Sequence, residues 1–175
     1  MVAVQCLEHP EGVAWAACAT CLQTLADAAA VERHSEHPLA QAVVQAAMAN
    51  GLAGGQAAEE VQALTGRGVR GRVNGHNVTV GDHALVHEEQ PELAKGPMCD
   101  AVHAAQAAGQ TAMIVRDDCC GVRGYIAVAD TLRPGVVDVL AELKREGIEE
   151  TVMLTGDNVA TVSYTHLTLP TKRIV

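Results

Sequence analysis

The chain contains no phenylalanine, and its aromatic residues are limited to Trp15, Tyr125 and Tyr164. A stacking platform for single-stranded nucleic acid needs several such rings, so composition argues against that function. Positive charge is scarce as well: 12 Lys and Arg stand against 21 Asp and Glu, for a net charge of −9. A DNA or RNA binder carries the opposite imbalance, because its phosphate contacts come from Lys and Arg. No uncharged apolar run approaches the roughly 18 residues that a membrane span requires. The opening Met-Val-Ala-Val-Gln-Cys also lacks the charged start and long apolar stretch of an export signal. A soluble, cytosolic chain is expected, in which the six cysteines serve as metal ligands or bystanders rather than disulfides.

What is present is globular. At 175 residues, with 49% hydrophobic and 19% charged residues, the chain suits one domain, or one plus part of a second. Leu22, Leu25 and Ala29 recur at helical spacing and predict a helix from Cys18 to Ala30. A second helix is expected to open near Ser35 or His37, with Ser35 as cap and Pro38 in the first turn, and to stop at Asn50-Gly51. After a loop over Gly51 to Gly55, three strands are expected at Glu60 to Leu64, Gly68 to Val73 and Asn77 to Val80. Asn74-Gly75 joins the last two as a hairpin, since both positions tolerate positive φ. Pro91 to Gly109 reads as helix, and Thr111 to Arg116 with Val122 to Val128 as a second hairpin. Beyond Ala129 the pattern changes to helix Pro134 to Arg145, then strand Thr151 to Leu154 ending in Thr155-Gly156-Asp157-Asn158. That is α/β grammar, in which ligand sites gather at the carboxyl ends of strands. Ser163 to Val175 shares neither the Ala-rich composition nor the periodicity before it and reads as foreign sequence.

Four groups of residues could carry chemistry. His37 directly precedes a helix-opening proline, so its backbone is fixed and its ring can face a ligand beside the helix start, while Glu32 could accept a hydrogen bond from an amino group. The alternative is an exposed histidine and a solvated charge. Gly66-Arg67-Gly68-Val69-Arg70-Gly71 satisfies the Gly-x-Gly-x-x-Gly pattern, but a strand and turn follow it where a dinucleotide fold needs a helix. What survives is close backbone approach to a ligand, or an ordinary glycine-rich strand entry. Asp130 to Pro134 and Thr155 to Asn158 offer a hydroxyl, backbone N–H groups and Arg133 to a phosphoryl group, or else cap a helix and close a turn. Finally, Cys6-x-x-His9 and Cys18-x-x-Cys21 can enclose a tetrahedral Zn²⁺, unless Cys18 and Cys21 are simply buried on a helix face. Cys119 and Cys120 are expected on opposite faces of a strand and unable to bind together.

Taken in order, Ser35-Glu36-His37-Pro38-Leu39, Gly66-Arg67-Gly68-Val69, Val80-Gly81-Asp82, Ala129-Asp130-Thr131-Leu132-Arg133-Pro134 and Met153-Leu154-Thr155-Gly156-Asp157-Asn158 resemble the heavy-metal-transporting P-type ATPases over about residues 20 to 161. The extra Cys and His before Cys21 and the Val-Ala-Asp-Thr-Leu-Arg-Pro wording look more like the zinc, cadmium and lead branch than the copper branch. The resemblance implies an α/β fold of the α+β kind. Residues 1–129 would form a nucleotide-binding domain, an antiparallel sheet flanked by helices, and residues 130–161 part of a haloacid-dehalogenase-like phosphorylation domain, with 162–175 unrelated.

By the same resemblance, His37 would stack on adenine, Glu32 would receive its amino group, and Gly66, Gly68 and Val69 would bring backbone against the phosphates. Gly81-Asp82 stands where the family has Gly-Asn, and a carboxylate there is expected to weaken binding unless it keeps its distance. Thr155 would hold the transferring phosphoryl, with Asp157 and Arg133 on the nucleotide side of the cleft and Mg²⁺ accompanying ATP. The family's Asp-Lys-Thr-Gly-Thr and Gly-Asp-Gly-x-Asn-Asp loops do not occur in the sequence. The chain is therefore expected to bind ATP on the cytoplasmic side of the membrane without completing the reaction. Its partners would be the transmembrane, actuator and phosphorylation parts of a pump. The rival reading is a small zinc module built on Cys6, His9, Cys18 and Cys21 with no nucleotide affinity. A soluble phosphatase of the dehalogenase class would need an Asp-x-Asp loop, which is absent.

Overall fold

The computed structural model describes residues 1–52, 57–89, 96–129 and 135–148. Its centre is a six-stranded antiparallel sheet in the order β1-β6-β5-β4-β3-β2. The strands are β1 (Val2–Cys6), β2 (Glu59–Leu64), β3 (Gly68–Val73), β4 (His76–Gly81), β5 (Thr111–Asp117) and β6 (Gly121–Val128). The β3–β4 turn forms as its sequence dictates, with positive φ at Asn74 and Gly75. β1 lies outside the expected elements. It pairs with β6 in the register Val2↔Val128 to Cys6↔Gly124, a contact across most of the chain that no local pattern announces.

Alternation along the central strands sends side chains to two cores. Met113 and Val115 of β5 join Ile126 and Val128 of β6 on the face covered by α1 (Ala19–Glu32) and α2 (Pro38–Ala49). Ala112, Ile114, Tyr125 and Ala127 face the other way, against Val102 and Ala105 of α4 (Pro97–Ala107). A short helix, α3 (His83–Glu89), follows β4 where no helix is expected; α4 begins at Pro97, and residues 91–95 of the expected helix lie outside the described residues.

The start of α2 needs a correction. His37, not Ser35, is the N-cap: its Nδ1 accepts from the Leu39 N–H at 3.2 Å. Ser35 acts one step earlier, its Oγ accepting from the His37 N–H at 3.3 Å. Pro38 occupies the first helical position, where its missing N–H costs nothing. The last described helix, α5 (Val136–Arg145), leaves Val137, Val139 and Leu143 exposed. The expected strand Thr151 to Leu154 and the tail from Ser163 lie outside the described residues.

Candidate functional site

A cleft of about 920 Å³ opens where the end of α1, the start of α2, the β2–β3 turn, the end of β4 and the start of β5 meet. Glu32, His37, Gly66, Gly68, Val69, Gly81 and Asp82 all line it. These segments are distant in sequence, and the sheet order makes them neighbours: β3 lies between β2 and β4, and β4 pairs with β5. The volume is in the range of small-molecule sites, at its upper end. Arg133, Thr155 and Asp157 lie outside the described residues.

Each lining group has a local cause for its placement. The His37 ring is held by its own helix, because accepting from Leu39 commits the Nδ1 lone pair and leaves Nε2 to carry the proton. Glu32 closes α1 and is buried at 6% exposure, yet no hydrogen bond or ion pair reaches its carboxyl among the described residues. Burial without a compensating partner pushes its pKa up to about 7. A carboxyl in this state is poised to accept from an N–H donor entering the cleft.

The glycines divide by role. Gly66 has φ +69° and a Cβ there would meet nothing, so its side toward the cleft is open. Gly68, at φ +149°, is different: a Cβ would stand 2.2 Å from the Val80 carbonyl oxygen and 2.6 Å from Gly81 Cα. The close approach at Gly68 is β3 against β4, which seats the turn. Asp82 turns its charge to a structural task, its Oδ1 accepting from the Leu85 N–H at 2.6 Å to cap α3. Arg67, which no motif in the sequence singles out, lines the same cleft and pairs with Glu88 of α3 at 2.8 Å. The sequence marks it only by its position between the two glycines.

The second group converges on the opposite end of α1. Sγ of Cys6, at the end of β1, lies 3.7 Å from Sγ of Cys18 and 3.9 Å from His9 Nδ1. His9 Nδ1 is 3.2 Å from Cys21 Sγ, and the Cys6 N–H donates to that sulfur at 3.3 Å. Cys18 is the N-cap residue of α1 and Cys21 sits in its first turn, so the pair is buried as the packing alternative required. It is also gathered with Cys6 and His9. All six cysteines are free thiols. Cys119 and Cys120 require a correction: they occupy the β5–β6 turn rather than a strand, so their sulfurs are neighbours at 2.7 Å and both are exposed.

Between the two sites, α1 is anchored by buried charge. Asp117 of β5 accepts from the Arg123 guanidinium, which also lies 3.6 Å from Asp27 of α1. Desolvation raises the Asp27 pKa, and Gln23 donates to its carboxylate at 2.9 Å. Asp27, Arg123 and Asp117 together tie the helix to the sheet.

The sequence profile of the haloacid dehalogenase-like hydrolases matches residues 9–170. A copper-exporting P-type ATPase of Legionella pneumophila is 38% identical over 151 residues, covering 86% of this chain and 20% of that protein. Among solved structures, a zinc-transporting PIB-type ATPase superposes with a TM-score of 0.67 at 32% identity, covering 98% of this chain and 26% of that one. The N-domain of a copper-transporting P-type ATPase gives a TM-score of 0.51 at 26% identity, covering 73% of this chain and 96% of that one. The chain spans about a fifth of the length of the curated relatives it matches. It belongs to the haloacid dehalogenase-like hydrolase family, and its similarity within that family is to one part of heavy-metal P-type ATPases.

Proposed function

We propose that residues 1–129 hold ATP, with its Mg²⁺, as the nucleotide-binding domain of a heavy-metal cation pump. Residues 130–161 would begin the phosphorylation domain, and 162–175 would belong to neither. In the intact pump the bound ATP would be presented to an Asp that this sequence does not contain, with Thr155 holding the transferring phosphoryl and Asp157 and Arg133 on the nucleotide side of the cleft. The remaining partners are the transmembrane, actuator and phosphorylation parts of the same pump, with this domain on the cytoplasmic face. The contribution of this chain is then positioning.

One observation carries the reading: a single cleft is lined by both the helix-capping imidazole of His37 and the Glu32 side chain, whose carboxyl has no hydrogen-bond partner among the described residues, with the glycine turn beside them. A purine stacked on the ring would bring an exocyclic amino group to that carboxyl, and stacking of this kind is worth about 1–3 kcal/mol per base. Adenine donates from its amino group, whereas guanine presents a carbonyl oxygen at the same place and, at a pH well above the Glu32 pKa of about 7, would leave an ionised carboxylate facing an acceptor. Titration calorimetry of the full chain with Mg-ATP and Mg-GTP tests this. ATP affinity in about the millimolar range with GTP at least tenfold weaker is expected. Equal affinities remove the role of Glu32, and no binding of either nucleotide ends the proposal.

A further inference from the structure

The four residues Cys6, His9, Cys18 and Cys21 line no part of the cleft, and nucleotide binding leaves them without a task. Their donor atoms all lie within 4.8 Å of one another. In a tetrahedral site with Zn–S about 2.3 Å and Zn–N about 2.0–2.1 Å, ligand atoms stand about 3.8 Å (S···S) and about 3.6 Å (S···N) apart. The Cys6–Cys18 separation of 3.7 Å and the Cys6–His9 separation of 3.9 Å match those edges, and Cys21–His9 at 3.2 Å is slightly inside them.

Two further features are what ligation requires. His9 Nε2 is 2.9 Å from the Val13 carbonyl oxygen. A carbonyl can only accept, so the proton sits on Nε2 and the Nδ1 lone pair faces the sulfurs; metal-bound histidines are oriented in this way by an outer partner. The Cys6 N–H directed at Cys21 Sγ supports negative charge on that sulfur. The segment these residues enclose has little else to order it. Leu7 and Val13 are exposed at 59% and 38%, and the only regular structure between β1 and α1 is a single 3₁₀ turn at Trp15–Ala17.

We propose that Cys6, His9, Cys18 and Cys21 bind one Zn(II) ion in a closed, four-coordinate site that clamps the end of β1 to the start of α1. Three thiols lose their protons to the solvent on binding and the neutral imidazole contributes its lone pair, so no oxidant or reductant is needed. Four protein ligands leave no open coordination position, which makes the site structural rather than hydrolytic. The clamp secures the same helix whose other end delivers Glu32 to the cleft. It stands whether or not the cleft binds ATP.

The test is Co(II) and Zn(II) titration of the full chain, reduced and stripped with a chelator, in a Cys119→Ser, Cys120→Ser background that removes the exposed vicinal pair. One equivalent of Co(II) is expected to give thiolate charge-transfer bands and the intense visible bands of tetrahedral cobalt, erased by stoichiometric Zn(II) with release of protons. His9→Ala should weaken and shift those bands, and His9→Cys should restore a four-ligand site. This pair perturbs the fold alike, so their difference reports ligation. Zn(II) should also slow amide exchange in β1 and the first turn of α1. Absence of metal binding by the reduced background protein overturns the proposal, as does binding unaffected by His9→Ala. Loss of binding on removing Cys119 and Cys120 alone would assign any metal to the exposed turn and equally refute it.

Discussion

The cleft beside His37 and the cysteine-histidine knot sit at opposite ends of one helix and are built on opposite logic. The cleft draws on segments from Glu32 to Met113, is open, and gives the Glu32 carboxyl no hydrogen-bond partner among the described residues. The knot draws on residues 6–21 alone, is largely buried, and its four donor atoms face one another. A large, polar, exchangeable ligand needs unsatisfied groups spread around an accessible volume, whereas a compact ion needs few donors converging on a point. The contrast separates residues that recognise a ligand from those that hold the frame, and substitutions can test that division.

The largest effect is expected in the frame of the cleft. Gly68→Ala would push a methyl to 2.2 Å from the Val80 carbonyl oxygen at a φ of +149°, a collision of backbone with side chain that neither strand can avoid without breaking the ladder. We expect a loss of about 3 kcal/mol or more in urea unfolding, together with loss of ATP binding. Gly66→Ala meets open space and carries only the left-handed backbone penalty, about 1–2 kcal/mol. Equal stabilities for the two variants would mean that the β3–β4 approach does not set the glycine requirement.

His37 tests recognition apart from framework. The ring is both N-cap and proposed stacking surface, so His37→Ala loses about 1 kcal/mol of helix capping as well as binding. Asn caps as well as any residue but offers no aromatic face. His37→Asn should therefore keep the wild-type melting temperature while ATP affinity falls by about 1–3 kcal/mol, roughly 5- to 150-fold. Full ATP affinity in His37→Asn would show that the imidazole only caps.

Much of this frame was legible in the chain. The Asn74-Gly75 hairpin, α1, α2 and the β5–β6 pair follow from periodicity and turn chemistry, which are local. β1 was not legible, because a five-residue strand gains its identity only from β6, more than a hundred residues away. α3 is illegible for a related reason: its start is fixed by the Asp82 cap, a bond that no hydrophobic periodicity in so short a segment announces. The buried Asp27–Arg123–Asp117 group left no trace in spacing either, since its members come from three elements. Cys119 and Cys120 were misplaced because alternation between faces holds inside a strand and fails in a turn. The knot was readable from its paired x-x spacing, while the convergence of its two halves needed β1.

Glu32 yields a pH signature. Its folded pKa of about 7 exceeds the ordinary 4.5, so the folded chain binds the extra proton between those values. Stability from this group is therefore undiminished below about pH 4.5, falls as pH rises toward 7, and stays low beyond it. Screening by solvent in the cleft reduces the span to about 1–2 kcal/mol. Glu32→Gln should flatten that slope in melting temperature against pH, and saturating ATP should reduce it in the wild type by supplying the missing donor. A slope identical in wild type and variant would assign the titration to other carboxyls.

The smallest effect is expected at Asp82, where a carboxylate lines the proposed polyphosphate site. Its tolerance has a physical cause: Oδ1 is engaged by the Leu85 N–H at 2.6 Å, so the negative charge is partly spent on the start of α3. Asp82→Asn retains the capping oxygen and removes the charge, so stability should hold while ATP affinity rises by about 0.2–1 kcal/mol, an effect that disappears in high salt. Asp82→Ala removes both and should cost about 1 kcal/mol of stability. If Asp82→Asn instead weakens ATP binding, the carboxylate is a positive contributor, as it would be in holding the cation that accompanies the phosphates, and the cleft is organised around that ion rather than against its charge.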